Sequence, residues 1–177
     1  MLELLDRIAR TLPVLAEPVV AIVVGGTAVH FYSPLRVSSD VEAIFSHRLL
    51  LPPDLVLRWT DDDGASRTLV YDPGFFRDLA LIHPDHERDA VDLDIVLSGR
   101  LRVRVLSPVD LALSKLARWG ARDQSDVETL ARAGLLTVEA LRARAEEALS
   151  YFVGDTRWVR MHIEQAATIV EVATEGP

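Results

Sequence analysis

Residues 18–24 read Pro-Val-Val-Ala-Ile-Val-Val, wholly apolar and rich in β-branched side chains, and the run stops at Gly25-Gly26. A short run of this kind, bounded by glycine and carrying no polar alternation, predicts a strand buried on both faces. Such a strand cannot stand alone: other strands must lie beside it and other elements must cover it.

The flanking patterns supply them. A helix is expected over about residues 2–11 and a short one over Thr27–Tyr32, just past the glycines. Ser39 to Phe45 sets Asp40 and Glu42 in alternation with Val41 and Ala43, which predicts a second strand. Val56–Thr60 and Thr68–Tyr71 flank Asp61-Asp62-Asp63-Gly64, a hairpin signal. Leu79–His83 predicts one more short strand, and Val91–Leu97 pairs with Leu101–Leu106. A three-residue loop, Ser98-Gly99-Arg100, sets Ile95 opposite Val103, Leu93 opposite Val105 and Asp94 opposite Arg104. The two-residue alternative mixes charge with apolar groups on both faces, so the longer loop is expected.

From Ser107 onward the pattern turns helical, with Ser107 as N-cap, Pro108 at the first position and Asp110 in the first turn. Further helices are expected over about Ser125–Ala133, Thr137–Phe152 and Arg157–Ala173, the last with Val159, Ile163, Ala166, Ala167 and Val170 on one face. The fold class is therefore α/β (α+β): a mixed sheet flanked by helices over residues 1–106, with a C-terminal helical bundle over 107–177 packed on it or continuous with it.

Composition narrows the function. A net charge of −8 opposes a broad DNA-binding footprint. With no cysteine, neither a disulfide framework nor a thiolate metal site is possible. The opening residues mix acids into an amphipathic pattern instead of forming a signal peptide, and no apolar stretch reaches membrane-spanning length, so a cytoplasmic protein is expected. Of nineteen basic residues Lys115 is the one lysine. Either chance put it there, or the place needs a compact ammonium on a flexible stem.

The candidate chemistry lies at the end of the first strand. Glycines that open a helix bare its first backbone N–H groups, a ready anion site. The acids Asp40 and Glu42, two apart on the next strand, project from one face and repel unless a cation joins them. Mg²⁺ suits such oxygen ligands together with substrate phosphates. His83-Pro84-Asp85-His86 reads as a solvated loop in preference to a zinc site. Arg100, Arg102 and Arg104 form a basic strand face, and Trp119 and Trp158 read as packing residues.

The segment GGTAVHFYSPLRVSSDVEAIF resembles the core signature of the nucleotidyltransferase superfamily, in the branch that contains AbiEii-type toxins. The segment VLSPVDLALSKLARWGARDQSDVETL resembles the same branch, in which a helical lysine precedes an Arg-Asp-x-x-Asp run. The resemblance implies NMP transfer from an NTP with Mg²⁺ or Mn²⁺. By the same resemblance Gly25, Gly26 and Thr27 would line the triphosphate, with Arg36 and Ser38 in the same motif and Ser38 assisting. Asp40 and Glu42 would hold metal with a third carboxylate from Asp92 or Asp94, Asp92 preferred. Lys115 would contact phosphates and Asp126 would orient it. The acceptor would be a tRNA end or a cognate partner protein, in a toxin–antitoxin or defence setting. Glu42 departs from the Asp of that pattern. A catalytically degenerate binding module, an antitoxin or regulator, is the alternative.

Overall fold

The computed structural model describes residues 1–34, 38–52, 55–61, 63–73 and 80–175. The apolar run forms β1 (Val19–Val24), with five of its six residues buried. Around it stand β2 (Asp40–Phe45), β3 (Val56–Thr60), β4 (Ser66–Tyr71), β5 (Val91–Leu97) and β6 (Leu101–Val105). They form one mixed six-stranded sheet in the order β3-β4-β2-β1-β6-β5. β1 runs antiparallel to β2 and parallel to β6, and β4 lies parallel to β2. A strand between two partners and covered on both faces has no use for polar residues, which explains its composition.

The N-terminal helix α1 (Leu2–Thr11) buries Leu4, Leu5, Ile8 and Ala9 completely. It contacts β3 at one edge of the sheet and β5 and β6 at the other, so the sheet curls around it. Its polar side chains tie both ends: Arg7 Nη1 donates to Val56 O at 3.1 Å, and Asp6 Oδ1 accepts from Ser98 Oγ at 2.7 Å. Burying each large apolar side chain of α1 contributes roughly 1.5–3 kcal/mol.

The other helices are α2 (Gly25–Tyr32), α3 (His86–Asp89), α4 (Pro108–Leu116), α5 (Ala121–Arg132), α6 (Val138–Leu149) and α7 (Thr156–Glu175). α2 packs against β1 and β2, and also against α4 and α5, which joins the sheet to the helical region. The expected cap is present: Ser107 Oγ accepts from Asp110 N at 3.2 Å, with Pro108 opening α4. α4 is covered on nearly every side, and even Asp110 and Lys115 are buried. Arg144 from α6 grips Asp110 through two bonds of 2.8 Å and reaches Asp89 at 2.8 Å. α7 buries the five apolar residues expected of it.

Several sequence expectations need correction. Residues 80–83 are not strand, and Leu79 lies outside the described residues. The three-residue loop at 98–100 stands, and Ile95 does face Val103. Between Asp92 and Ile95, however, β5 bulges, so Asp92 and not Asp94 faces Arg104, and Val91 replaces Leu93 opposite Val105. Asp94 adopts φ 55° at this irregularity, a backbone state that a regular alternation rule cannot foresee. α5 begins at Ala121, not Ser125, because Asp123 accepts from Gly120 N at 2.9 Å and caps the start. The His83–His86 segment is no solvated loop. His83 and His86 are only 5% and 6% exposed, and His83 Nε2 meets Glu147 Oε2 at 3.0 Å. Trp119 packs as expected, but Trp158 is 62% exposed.

Candidate functional site

β1 ends by turning into α2 at Gly25, whose φ is +66°. A Cβ built there would stand 1.7 Å from Glu42 Oε2, so the Glu42 carboxylate rests directly on this glycine. The approach follows from register: Glu42 pairs across the sheet with Val24, the residue before Gly25. Asp40 lies two positions earlier on β2 and projects to the same side. Two hydroxyls fix it. Thr27 Oγ1, on buried α2, donates to the Asp40 carbonyl, and Ser38 Oγ donates to Asp40 Oδ1 at 2.5 Å. Both hydroxyls therefore serve the acid. No side-chain cap closes the N-terminus of α2 among the described residues.

A third carboxylate joins from a direction the sequence did not indicate. β4 runs beside β2 with Asp40 opposite Val70 and Val41 opposite Tyr71. One step further, Asp72 N donates to Val41 O at 2.9 Å, which sets Asp72 beside Glu42 on the acidic side of the sheet. Burial pushes the Glu42 carboxyl above its ordinary value. The Lys115 charge pulls it down, Asp40 and Asp72 push it up again, and Arg118 draws it down. Glu42 thus responds to the charges of two further acids and two cations.

The cations come from the helical region. Lys115 on α4 is 5% exposed and pairs with Asp126 on α5, Nζ to Oδ2 at 3.1 Å. Arg118, in the connection between these helices, donates to both oxygens of Asp123 at 2.9 and 2.6 Å. Burial works against the Asp123 charge. Even so, the Arg118 and Gly120 N–H donors, with the charges of Arg118 and Lys115, hold its carboxyl below the usual range.

Asp92 and Asp94 do not belong to this group. β5 is a sheet edge, and β6 and β1 lie between it and β2. Three strand spacings amount to about 14 Å, beyond what one ion can bridge. Asp92 has work of its own, accepting from Arg102 at 3.1 Å and from Asp94 N at 2.9 Å. Arg36 lies outside the described residues. The basic strand face is also committed: Arg104 donates to the carbonyls of Glu87, Arg88 and Ala90, and Arg100 to those of Arg10 and Leu12.

Among the described residues, His83, Asp85 and Asp89 form the one set of three potential metal ligands within 4.8 Å of one another. Its chemistry does not suit a metal. His83 Nδ1 accepts from Asp85 N at 3.1 Å, which leaves Nε2 protonated toward Glu147. Asp85 and Asp89 pair with Arg88, and Asp89 also with Arg144. Sequence reasoning missed Asp72 and Arg118. Asp72 directly follows the strand residues Thr68-Leu69-Val70-Tyr71, but nothing in that segment says which strand it will lie beside.

Residues 1–171 match the family described as "Nucleotidyltransferase of unknown function (DUF6036)", and the chain belongs to that family. No curated protein and no solved structure matches the chain significantly.

Proposed function

We propose that this member of the family transfers NMP from an NTP to a hydroxyl or phosphate of an RNA or protein acceptor, with divalent metal held by Asp40, Glu42 and Asp72. The observation that carries the proposal is the meeting of these three acids beside the uncapped, glycine-opened end of α2. The donor set fits a hard cation: all three groups are carboxylates, and their crowding is felt at Glu42. Bound Mg²⁺ or Mn²⁺ would supply neutralisation of phosphate charge and activation of the acceptor.

The chain's own groups do the rest. Backbone N–H groups of Gly25 and Gly26 face the triphosphate, Thr27 and Ser38 hold Asp40 in place, and Lys115 offsets the acids while Asp126 orients it. With a hydroxyl acceptor, its oxygen bonds to the α-phosphorus, the bond to the bridging oxygen breaks, and pyrophosphate leaves with that electron pair. The hydroxyl proton passes to a carboxylate. Little covalent work is asked of the protein, so positioning and charge carry catalysis.

The Glu at position 42 fits this reading. Its longer side chain reaches Gly25, where the missing Cβ leaves room. Resemblance to AbiEii-type toxins supports a bacterial toxin–antitoxin or defence role, and the alternative remains a degenerate binding module. The test is incubation with each labelled NTP, Mg²⁺ or Mn²⁺ and bulk tRNA, beside Asp40→Ala and Asp72→Asn. Label transfer by the wild type and loss in both variants is expected. Absence of NTP binding by calorimetry rejects the enzyme and leaves the binding module.

A further inference from the structure

The link between α4 and α5 presents a cation that the reading above does not use. Arg118 is 74% exposed at its side chain, yet its guanidinium is held. Nε and Nη2 each bond an oxygen of Asp123, a carboxylate only 1% exposed that also accepts from Gly120 N at 2.9 Å. A bidentate pair of this kind fixes the guanidinium plane. It occupies two of five N–H donors and leaves three turned elsewhere.

Lys115 and Arg118 stand three residues apart, and their partners Asp126 and Asp123 are likewise three apart on α5, so the two pairs form successive rungs. The inner rung is buried, with side chains 6% and 2% exposed, while the outer rung opens to solvent. The charges of both cations act on Glu42. An acid-lined floor repels a triphosphate, and a buried lysine already paired answers only part of that charge. The exposed, pre-set donors are those of Arg118.

We propose that Arg118 grips the β- and γ-phosphates of the incoming NTP, with Asp123 as the positioning residue that holds its guanidinium. This rests on the nucleotidyl-transfer reading. The probes are inorganic tripolyphosphate, the four NTPs and the matching NMPs, each titrated with Mg²⁺ into the full chain by calorimetry. Arg118→Gln should weaken tripolyphosphate and NTP binding about tenfold or more, while NMP binding moves less than twofold. Arg118→Lys should recover part of the loss. Because Arg118→Gln strands a buried carboxylate, the double variant R118Q/D123N is measured too. It should melt near the wild type yet bind triphosphate as weakly as the single variant. If wild type binds triphosphate and R118Q/D123N binds it within twofold, the Arg118 role is overturned and the transferase reading survives. If wild type binds no NTP or tripolyphosphate, both fall.

Discussion

At Gly25 the backbone stands at φ +66°, and the space a Cβ would fill is already taken by Glu42 Oε2, 1.7 Å away. Alanine there must adopt a left-handed conformation, which costs about 1–2 kcal/mol, and must push the Glu42 carboxylate off the turn. Gly25→Ala should therefore lower the unfolding free energy by about 1–2 kcal/mol, read as a fall in the denaturant midpoint at constant slope, and abolish label transfer. A variant with full transfer would show that the contact is incidental. Glu42 yields a prediction of opposite sign for stability. Its carboxyl is raised, chiefly by burial, so the folded chain holds that proton more tightly than the unfolded chain. The contribution to stability is full below the ordinary carboxylate value and is lost as pH rises through the raised value. Glu42→Gln, neutral at every pH, should melt higher than wild type at pH 7 and no higher near pH 4. Mn²⁺ should raise the wild-type melting temperature and leave that of Glu42→Gln unmoved. Equal Mn²⁺ responses in the two proteins would remove Glu42 from the metal set.

Among the elements, α4 owes its place to charge as much as to apolar packing. Asp110 is fully buried and held by Arg144, which also bonds Asp89. Arg144→Ala leaves a buried carboxylate without its cation and should cost about 3 kcal/mol, read as a fall in the urea midpoint at constant slope. A change below about 1 kcal/mol would mean that Ser107, which donates to Asp110 at 2.8 Å, suffices alone. Elements such as these were largely legible. Periodicity gave α1 and α7 nearly to their ends, because each buries one stripe against the core. The start of α5 was hidden, since its first turn is set by Asp123 folding back on Gly120 and not by an apolar pattern. The β5 bulge was hidden for a similar reason: the alternation Val91 to Ile95 is regular in sequence, and Asp94 at φ 55° breaks it in space.

Across the whole molecule, Asp40 and Glu42 could be read from sequence because β1, Gly25 and β2 are local to one another, whereas Asp72 could not. Its relevance arises when β4 docks beside β2, a choice of neighbour made by the sheet and by nothing in residues 66–72. The same long-range logic bears on the division at residue 106. The acids come from the sheet and the cations from the helices beyond, and one continuous core runs from Leu4 through Leu113 to Val170. α2 packs against α4 and α5 as well as against the sheet, so removing residues 107–177 strips away part of its cover. A fragment of residues 1–106 is expected to lack a cooperative unfolding transition and to bind a hydrophobic dye. Co-expression with residues 107–177 should restore a soluble complex, because the two parts share one packed core that neither completes alone. Cooperative melting of the short fragment by itself would instead show that the sheet is covered without its helices. Lys115 would then be a cation brought to a finished sheet, and the ladder of Lys115 and Arg118 an addition to the fold instead of a part of its core.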